Sequence, residues 1–265
     1  MSDQVYNSYI QHFNAYEAKA LKLLIAEFGR QLKAIKFDNL TFENAKYVIV
    51  LNFDEESLKN TLYKVHYTIG KAYGTFIAKQ LRKDNPIQLK KWKPLPFFNE
   101  EFQRFLIQYY SKYGGALIRT LSETMTASVV SEISKGTYEN ETVEEMRDRI
   151  YKTVNKRDFY LWQAMRIART ETGFAMNSAK DIAGQTSGVL MQKVWIGRND
   201  GRERASHIRA NGQKVDQNEM FSVGGIKMKH PGDRENGTAE ETINCRCTFG
   251  YEAKRDENGR LIFTD

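Results

Sequence analysis

The chain has 265 residues, with 40 Lys+Arg against 33 Asp+Glu for a formal charge of +7, and 41% hydrophobic and 28% charged side chains. That length accommodates one large domain or two modest ones with a buried core, and the composition is far from the disordered and collagen-like extremes. No apolar run approaches the ~20 residues that span a bilayer, the opening MSDQVYNSYI lacks the pattern of a signal peptide, and two cysteines exclude a disulfide framework, so no membrane insertion and a reducing cytoplasm are expected.

The first part of the chain reads as helix. Tyr6, Ile10, Phe13, Ala20, Leu24, Phe28, Leu32 and Ile35 recur at three- and four-residue steps, the spacing of one buried helical face. A second stripe runs from Leu58 through Leu62, Val65, Ile69, Tyr73, Phe76 and Leu81 behind Asp54, a suitable N-cap. It should stop before Asn85-Pro86, and Pro86, Pro94 and Pro96 mark an elbow near 85–97. A third stripe begins at Asn99 and runs through Phe102 to Ile133, with Gly114-Gly115 as a kink site. Thr142-Val-Glu-Glu145 has capping-box spacing, and Asp158 suits the start of a helix reaching about Gly184.

After Gly188 the pattern changes to short segments between turn residues. Val189–Ile196 reads as a strand, Asn199-Asp200-Gly201 as a turn, and Phe221–Val223 with Ile226–Met228 as a hairpin about Gly224-Gly225. Thr242–Tyr251 alternates Ile243, Cys245, Cys247, Phe249 and Tyr251 against polar residues, which predicts a strand. Asn258-Gly259 turns it back into Leu261–Phe263. Of the 18 glycines, 12 fall in the last hundred residues, so the chain reads as α+β: a mostly helical body (1–157) and a small turn-rich α+β domain (158–265).

Several residue groups could carry chemistry. Cys245 and Cys247, with His207 and either His230 or Asp233, could supply four ligands to a structural zinc, although strand alternation equally makes the cysteines two small apolar core residues. Asp200, Arg202, Arg204 and His207 follow a strand beside Trp195, a group open to metal-dependent phosphodiester chemistry or to a loop pinned by an ion pair. On the long helix, Arg166 and Arg169 could grip an anion or join an ion pair to the C-terminal strands, and Gly173 permits close backbone approach. Lys83, Lys90, Lys91 and Lys93 around Trp92 are a weak nucleic-acid contact or a solvated linker. No Walker loop, dinucleotide fingerprint or nucleophile elbow occurs.

The order of these residues is more specific than any one of them. Ala168-Arg169-Thr-Glu171, Asn177, Trp195, Asp200, Arg204-x-x-His207, Gly212, Phe221, Pro231-Gly-Asp233 and Asn244-Cys245-Arg246-Cys247 closely resemble, over about residues 160–252, the phage Mu F-like head morphogenesis family of minor capsid proteins. The resemblance implies a non-enzymatic virion component of a tailed bacteriophage or prophage, made in the host cytoplasm and carried in the head interior at the portal vertex. Its implied partners are the portal protein, a major capsid or scaffold protein and, weakly and without sequence preference, packaged double-stranded DNA. Other members often carry Cys-x-x-Cys where this chain has Arg204-x-x-His207, which leaves the metal set poorer here. The alternative class is an enzyme: a nuclease using His207 and Asp200, or an ADP-ribosyltransferase, for which Glu139-Asn-Glu141 has the Glu-x-Glu form.

Overall fold

The computed structural model describes residues 2–34, 44, 47–48, 52–84, 95–142, 144–145, 148–149, 152, 157–198 and 200–263. Among them, helices α1 (Ser2–Ala34), α2 (Glu55–Asp84), α3 (Leu95–Tyr138) and α4 (Arg157–Gln185) precede the C-terminal elements. These are β1 (Met191–Ile196), α5 (Ala205–Ala210), β2 (Lys214–Asp216), β3 (Phe221–Val223), β4 (Ile226–Met228), α6 (Ala239–Thr242) and β5 (Thr248–Ala253). The class is α+β, as expected, and no helix of the described residues is long and apolar enough to cross a membrane. The elbow residues 85–94 lie outside the described residues, and with them Lys90, Lys91, Trp92 and Lys93; Lys83 is an exposed residue in the last turn of α2.

The chain divides into two compact units that interleave in sequence. One comprises Met1–Ala20, Val65–Leu106 and Arg166–Asp265; the other comprises Leu21–Lys64 and Ile107–Met165. The expected boundary at 157/158 assigned α1, α2 and α3 to a separate helical body, whereas their segments 1–20 and 65–106 build the same unit as the C-terminal elements. The physical reason is α4. From Gln163 to Gly184 nearly every residue is buried, so this helix needs cover on all sides, more than a small sheet provides. Tyr9 and Phe13 of α1, Val65, Ile69 and Tyr73 of α2, and Phe98 and Phe102 of α3 supply the unit's buried helical side chains. Gly70 and Gly74, one turn apart on α2, face the rings of Phe102 and Phe98 so closely that a methyl at either would overlap the ring.

The other unit holds Leu24, Phe28, Leu58 and Leu62 as buried apolar side chains. Asp54 caps α2 as predicted, accepting from Ser57 N at 2.9 Å. Gln31 clamps the same residue from both directions: its Nε2 donates to Asp54 O at 2.8 Å, and Asp54 N donates to its Oε1 at 2.8 Å. The capping box is also present, with Thr142 N donating to Glu145 Oε2 at 2.8 Å and Glu145 N donating to Thr142 Oγ1 at 3.2 Å. Helix α3 runs through Gly114 and Gly115 without interruption, and α4 begins at Arg157, which puts Asp158 in the first turn instead of at the cap.

The sheet order is β2-β1-β5, all antiparallel, with Trp195 opposite Phe249 in the β1–β5 register. Gly224 and Gly225, at φ 58° and 86°, make the predicted hairpin turn between β3 and β4, a double left-handed step that other residues adopt only with strain. The predicted strand over Thr242–Tyr251 is corrected: Ala239–Thr242 is helix, and pairing begins only at Thr248. Asn244, at φ 61°, turns the chain between the two. The closing turn at Gly259 returns the chain to isolated bridges, Arg255 to Leu261 and Val189 to Phe263.

Candidate metal centre

The irregular segment 243–247 brings both cysteines against α5. A left-handed Asn244 is tolerated because its short polar side chain suits that conformation. Its N–H donates to Thr170 Oγ1 at 3.0 Å, and its Oδ1 lies 3.4 Å from Arg169 Nη1. Arg169 in turn donates to Glu17 Oε1 at 2.7 Å, so its ion pair runs to α1 and not, as expected, to the C-terminal strands. Gly173 lets the backbone of Cys245 approach α4: an added Cβ would stand 3.3 Å from Cys245 O. Arg204 Nη2 donates to Ile243 O at 2.5 Å and ties the start of α5 to the same segment.

The result is a compact group. The ligand atoms of His207, Cys245 and Cys247 all lie within 4.8 Å of one another, with all three residues buried. His207 Nδ1 stands 3.7 Å from Cys245 Sγ and 3.4 Å from Cys247 Sγ. Trp195 closes one side, its ring edge-on to His207 at 5.6 Å, and the cysteines belong to the apolar cluster of Trp195, Phe221, Met228 and Phe249. The hydrogen bond from Cys247, together with His207, pulls the Cys245 thiol well below its ordinary pKa despite burial, while Cys247 is pushed up by its bond to Cys245 and by burial. Burial alone would lower His207, but its contact with Cys245 outweighs this and raises it.

Two carboxylates absent from the sequence reading border the group. Glu203 Oε1 lies 3.7 Å from Cys247 Sγ and accepts from Arg198 N; Glu241 Oε2 lies 2.9 Å from His207 Nε2, near but out of line for a hydrogen bond, and accepts from Ser206 Oγ at 2.8 Å. Nothing in the spacing of an acidic residue marks it as a neighbour of a cysteine about forty positions away. Their positions directly before Arg204 and three before Asn244 were the available signal.

The remaining expected site residues go elsewhere. His230 is corrected: it is not in the group, but pairs with Ser178 Oγ at 3.3 Å and stacks on Phe249. Asp233 instead caps its own loop, accepting from Lys229 N, Glu235 N and Asn236 Nδ2 at 2.8, 3.0 and 2.8 Å. Between them, Gly232 at φ 77° is approached by the backbone of Gly173 and Phe174. Asp200 pairs with Arg198 Nε at 2.6 Å and caps Arg202 N, so it is no partner of His207, whose two nitrogens face the sulfurs and Glu241. Glu171 lies between His66 Nε2, at 2.9 Å, and Arg234. Arg246 is half-buried. Glu139 and Glu141 both bind Arg149, which donates from Nε to Glu141 Oε1 at 2.8 Å and from Nη2 to Glu139.

Asn177, the last polar group of the pattern, ties α4 to both loops, donating to Pro231 O at 3.0 Å and Cys247 O at 3.1 Å while accepting from Thr248 Oγ1 at 2.9 Å. The signature is therefore one connected structure: α4, the Pro-Gly-Asp loop, α5 and the Asn-Cys-Arg-Cys turn held in register. Residues 123–250 match the family model of phage Mu protein F like protein. This Mu F-like segment contains every signature residue and extends back into α3. The chain is 30% identical over 130 residues to an NAD(+)–arginine ADP-ribosyltransferase, EFV, of Enterococcus faecalis, covering 48% of this chain and 26% of that protein. It is likewise 30% identical over 130 residues to minor head protein GP7 of Bacillus phage SPP1, covering 47% of this chain and 40% of that protein. The chain thus spans less than half the length of these curated relatives. No solved structure matches it.

Proposed function

We propose that this chain is a structural minor head protein of a tailed bacteriophage or prophage, held at the portal vertex inside the head and acting in head assembly. The observation that carries this reading is the likeness to a minor head protein through a Mu F-like segment whose polar signature residues are engaged with the protein's own fold. Asn177 joins α4 to the C-terminal loops, Arg169 joins it to Glu17 and Asn244, Asp233 closes its own loop, and Arg204 ties α5 to Ile243. The portal protein and a major capsid or scaffold protein are the proposed partners, and the interior of the head the proposed location.

The likeness to a transferase gives the second reading its one favourable observation. Against it, Glu139 and Glu141, the pair with the Glu-x-Glu form, are both occupied by Arg149. Two arms of one experiment separate the readings. Co-expression with the portal protein from the same phage should yield a complex that survives size-exclusion chromatography, and the chain alone should release no nicotinamide from NAD. Turnover that disappears in Glu141→Gln, with no portal complex, would overturn the structural reading.

DNA contact is a weaker part of the same proposal. A +7 chain with Lys83, Lys90, Lys91 and Lys93 near Trp92 would meet phosphate in a filled head, and the binding would be independent of sequence and fall steeply with salt.

A further inference from the structure

We propose that His207, Cys245 and Cys247, completed by Glu203, bind one zinc ion that fastens the Asn-Cys-Arg-Cys turn to α5. The inference goes beyond the head-protein reading and is independent of it, so its failure would leave that reading standing.

The group of three has the spacing of a tetrahedron with its centre and one vertex open. With zinc–sulfur bonds of about 2.3 Å and zinc–nitrogen or zinc–oxygen bonds of about 2.0–2.2 Å, neighbouring ligand atoms stand about 3.6 Å apart. The two sulfur–nitrogen separations are 3.4 and 3.7 Å, and the separation from Cys247 Sγ to Glu203 Oε1 is 3.7 Å. A pair of cysteines packed only as small apolar residues has no need of an imidazole nitrogen aimed between both sulfurs. Glu203 stands outside the tight group of three with its Oε1 held by Arg198 N, and as the proposed fourth ligand its partly exposed side chain would exchange that bond for the metal at the open vertex.

The donor set selects the metal. Two thiolates and an imidazole are soft and borderline ligands, suited to zinc and poorly suited to magnesium or calcium. Binding releases the thiol protons to solvent. Behind His207, the Glu241 carboxylate lies 2.9 Å from Nε2, out of line for a hydrogen bond, and a metal-bound ring turned toward it would gain the outer-shell bond such histidines make. Glu241 is itself held by Ser206 and fitted against Gly224, where any side chain would collide with it.

The test uses the full chain, purified without chelator after growth with added zinc. Elemental analysis should find about one zinc per chain, and a thiol reagent should label neither cysteine until a chelator is added. Cobalt substitution should give the absorption of a tetrahedral thiolate site. Glu203→Gln should weaken zinc binding about tenfold, as altered ligand and outer-shell groups do, while His230→Gln leaves metal content unchanged. Because a misfolded variant also loses metal, the wild-type measurement decides. Less than about a tenth of a zinc per chain, with both thiols reacting at once or a mass lower by two hydrogens from a disulfide, would overturn the proposal. Unchanged affinity in Glu203→Gln would remove that residue from the ligand set.

Discussion

At the scale of single residues, Glu171 shows how a charge is tolerated in the interior. Burial pushes its carboxyl upward, but the charge of Arg234 and the hydrogen bond with His66 win, and the pKa falls from the ordinary 4.5 to about 2. The folded state therefore holds its proton less tightly than the unfolded chain. Its contribution is complete above about pH 4.5 and is lost as the pH falls toward 2. Denaturant titrations of wild type and Glu171→Gln should differ by roughly 2–3 kcal/mol at pH 7, since the substitution leaves Arg234 without its counter-charge. The gap should narrow below about pH 4.5 and close only near pH 2; a constant difference across that range would mean the carboxylate is not held as described. Asn244 carries a backbone prediction. At φ 61°, Asn244→Ala should cost about 1–2 kcal/mol and Asn244→Gly less, read from unfolding midpoints, and equal costs would show that the left-handed turn is not what the residue provides.

At the scale of elements, α4 is central because several of its buried polar residues are matched individually. Lys180, fully buried, donates to Thr248 Oγ1 at 3.0 Å and Phe249 O at 2.6 Å and sits over the rings of Tyr9, Tyr73 and Phe249; burial lowers its pKa to about 7. Asp181 faces Lys193 at 3.6 Å and accepts from Tyr251 Oη. The contact between α2 and α3 rests on the absence of side chains at Gly70 and Gly74. Gly74→Ala should therefore destabilise by about 1–3 kcal/mol through overpacking against Phe98, despite a helix-propensity gain of about 1 kcal/mol, and a neutral or stabilising result in thermal melts would contradict that packing.

The same elements explain what the sequence made legible. The stripes of α1, α2 and α3, the Asp54 cap, the capping box at Thr142 and the Gly-Gly hairpin are local patterns, fixed by spacing and turn chemistry. The turn at Asn244 is also local, yet the alternation of Ile243, Cys245, Cys247 and Phe249 imitates a strand and conceals it. His207 and the cysteines were identifiable because their types are rare. Glu203 and Glu241 were not, because surface-type carboxylates become neighbours of a buried histidine only once α5 and the 243–247 turn meet. His230 was assigned to the wrong neighbours for the converse reason: its type suits a metal, but the Pro-Gly-Asp loop turns it onto Phe249.

At the scale of the whole molecule, the +7 charge and the Mu F-like segment bear on one question, whether the chain is a part of a phage head. The most direct measurement is the protein composition of purified heads from the phage or induced prophage that encodes it, by quantitative mass spectrometry. The expected result is this chain in mature heads at a few copies per portal ring, lost together with portal-bound material when heads are disassembled. Heads of normal composition that lack the chain, formed equally well when its gene is deleted, would contradict it.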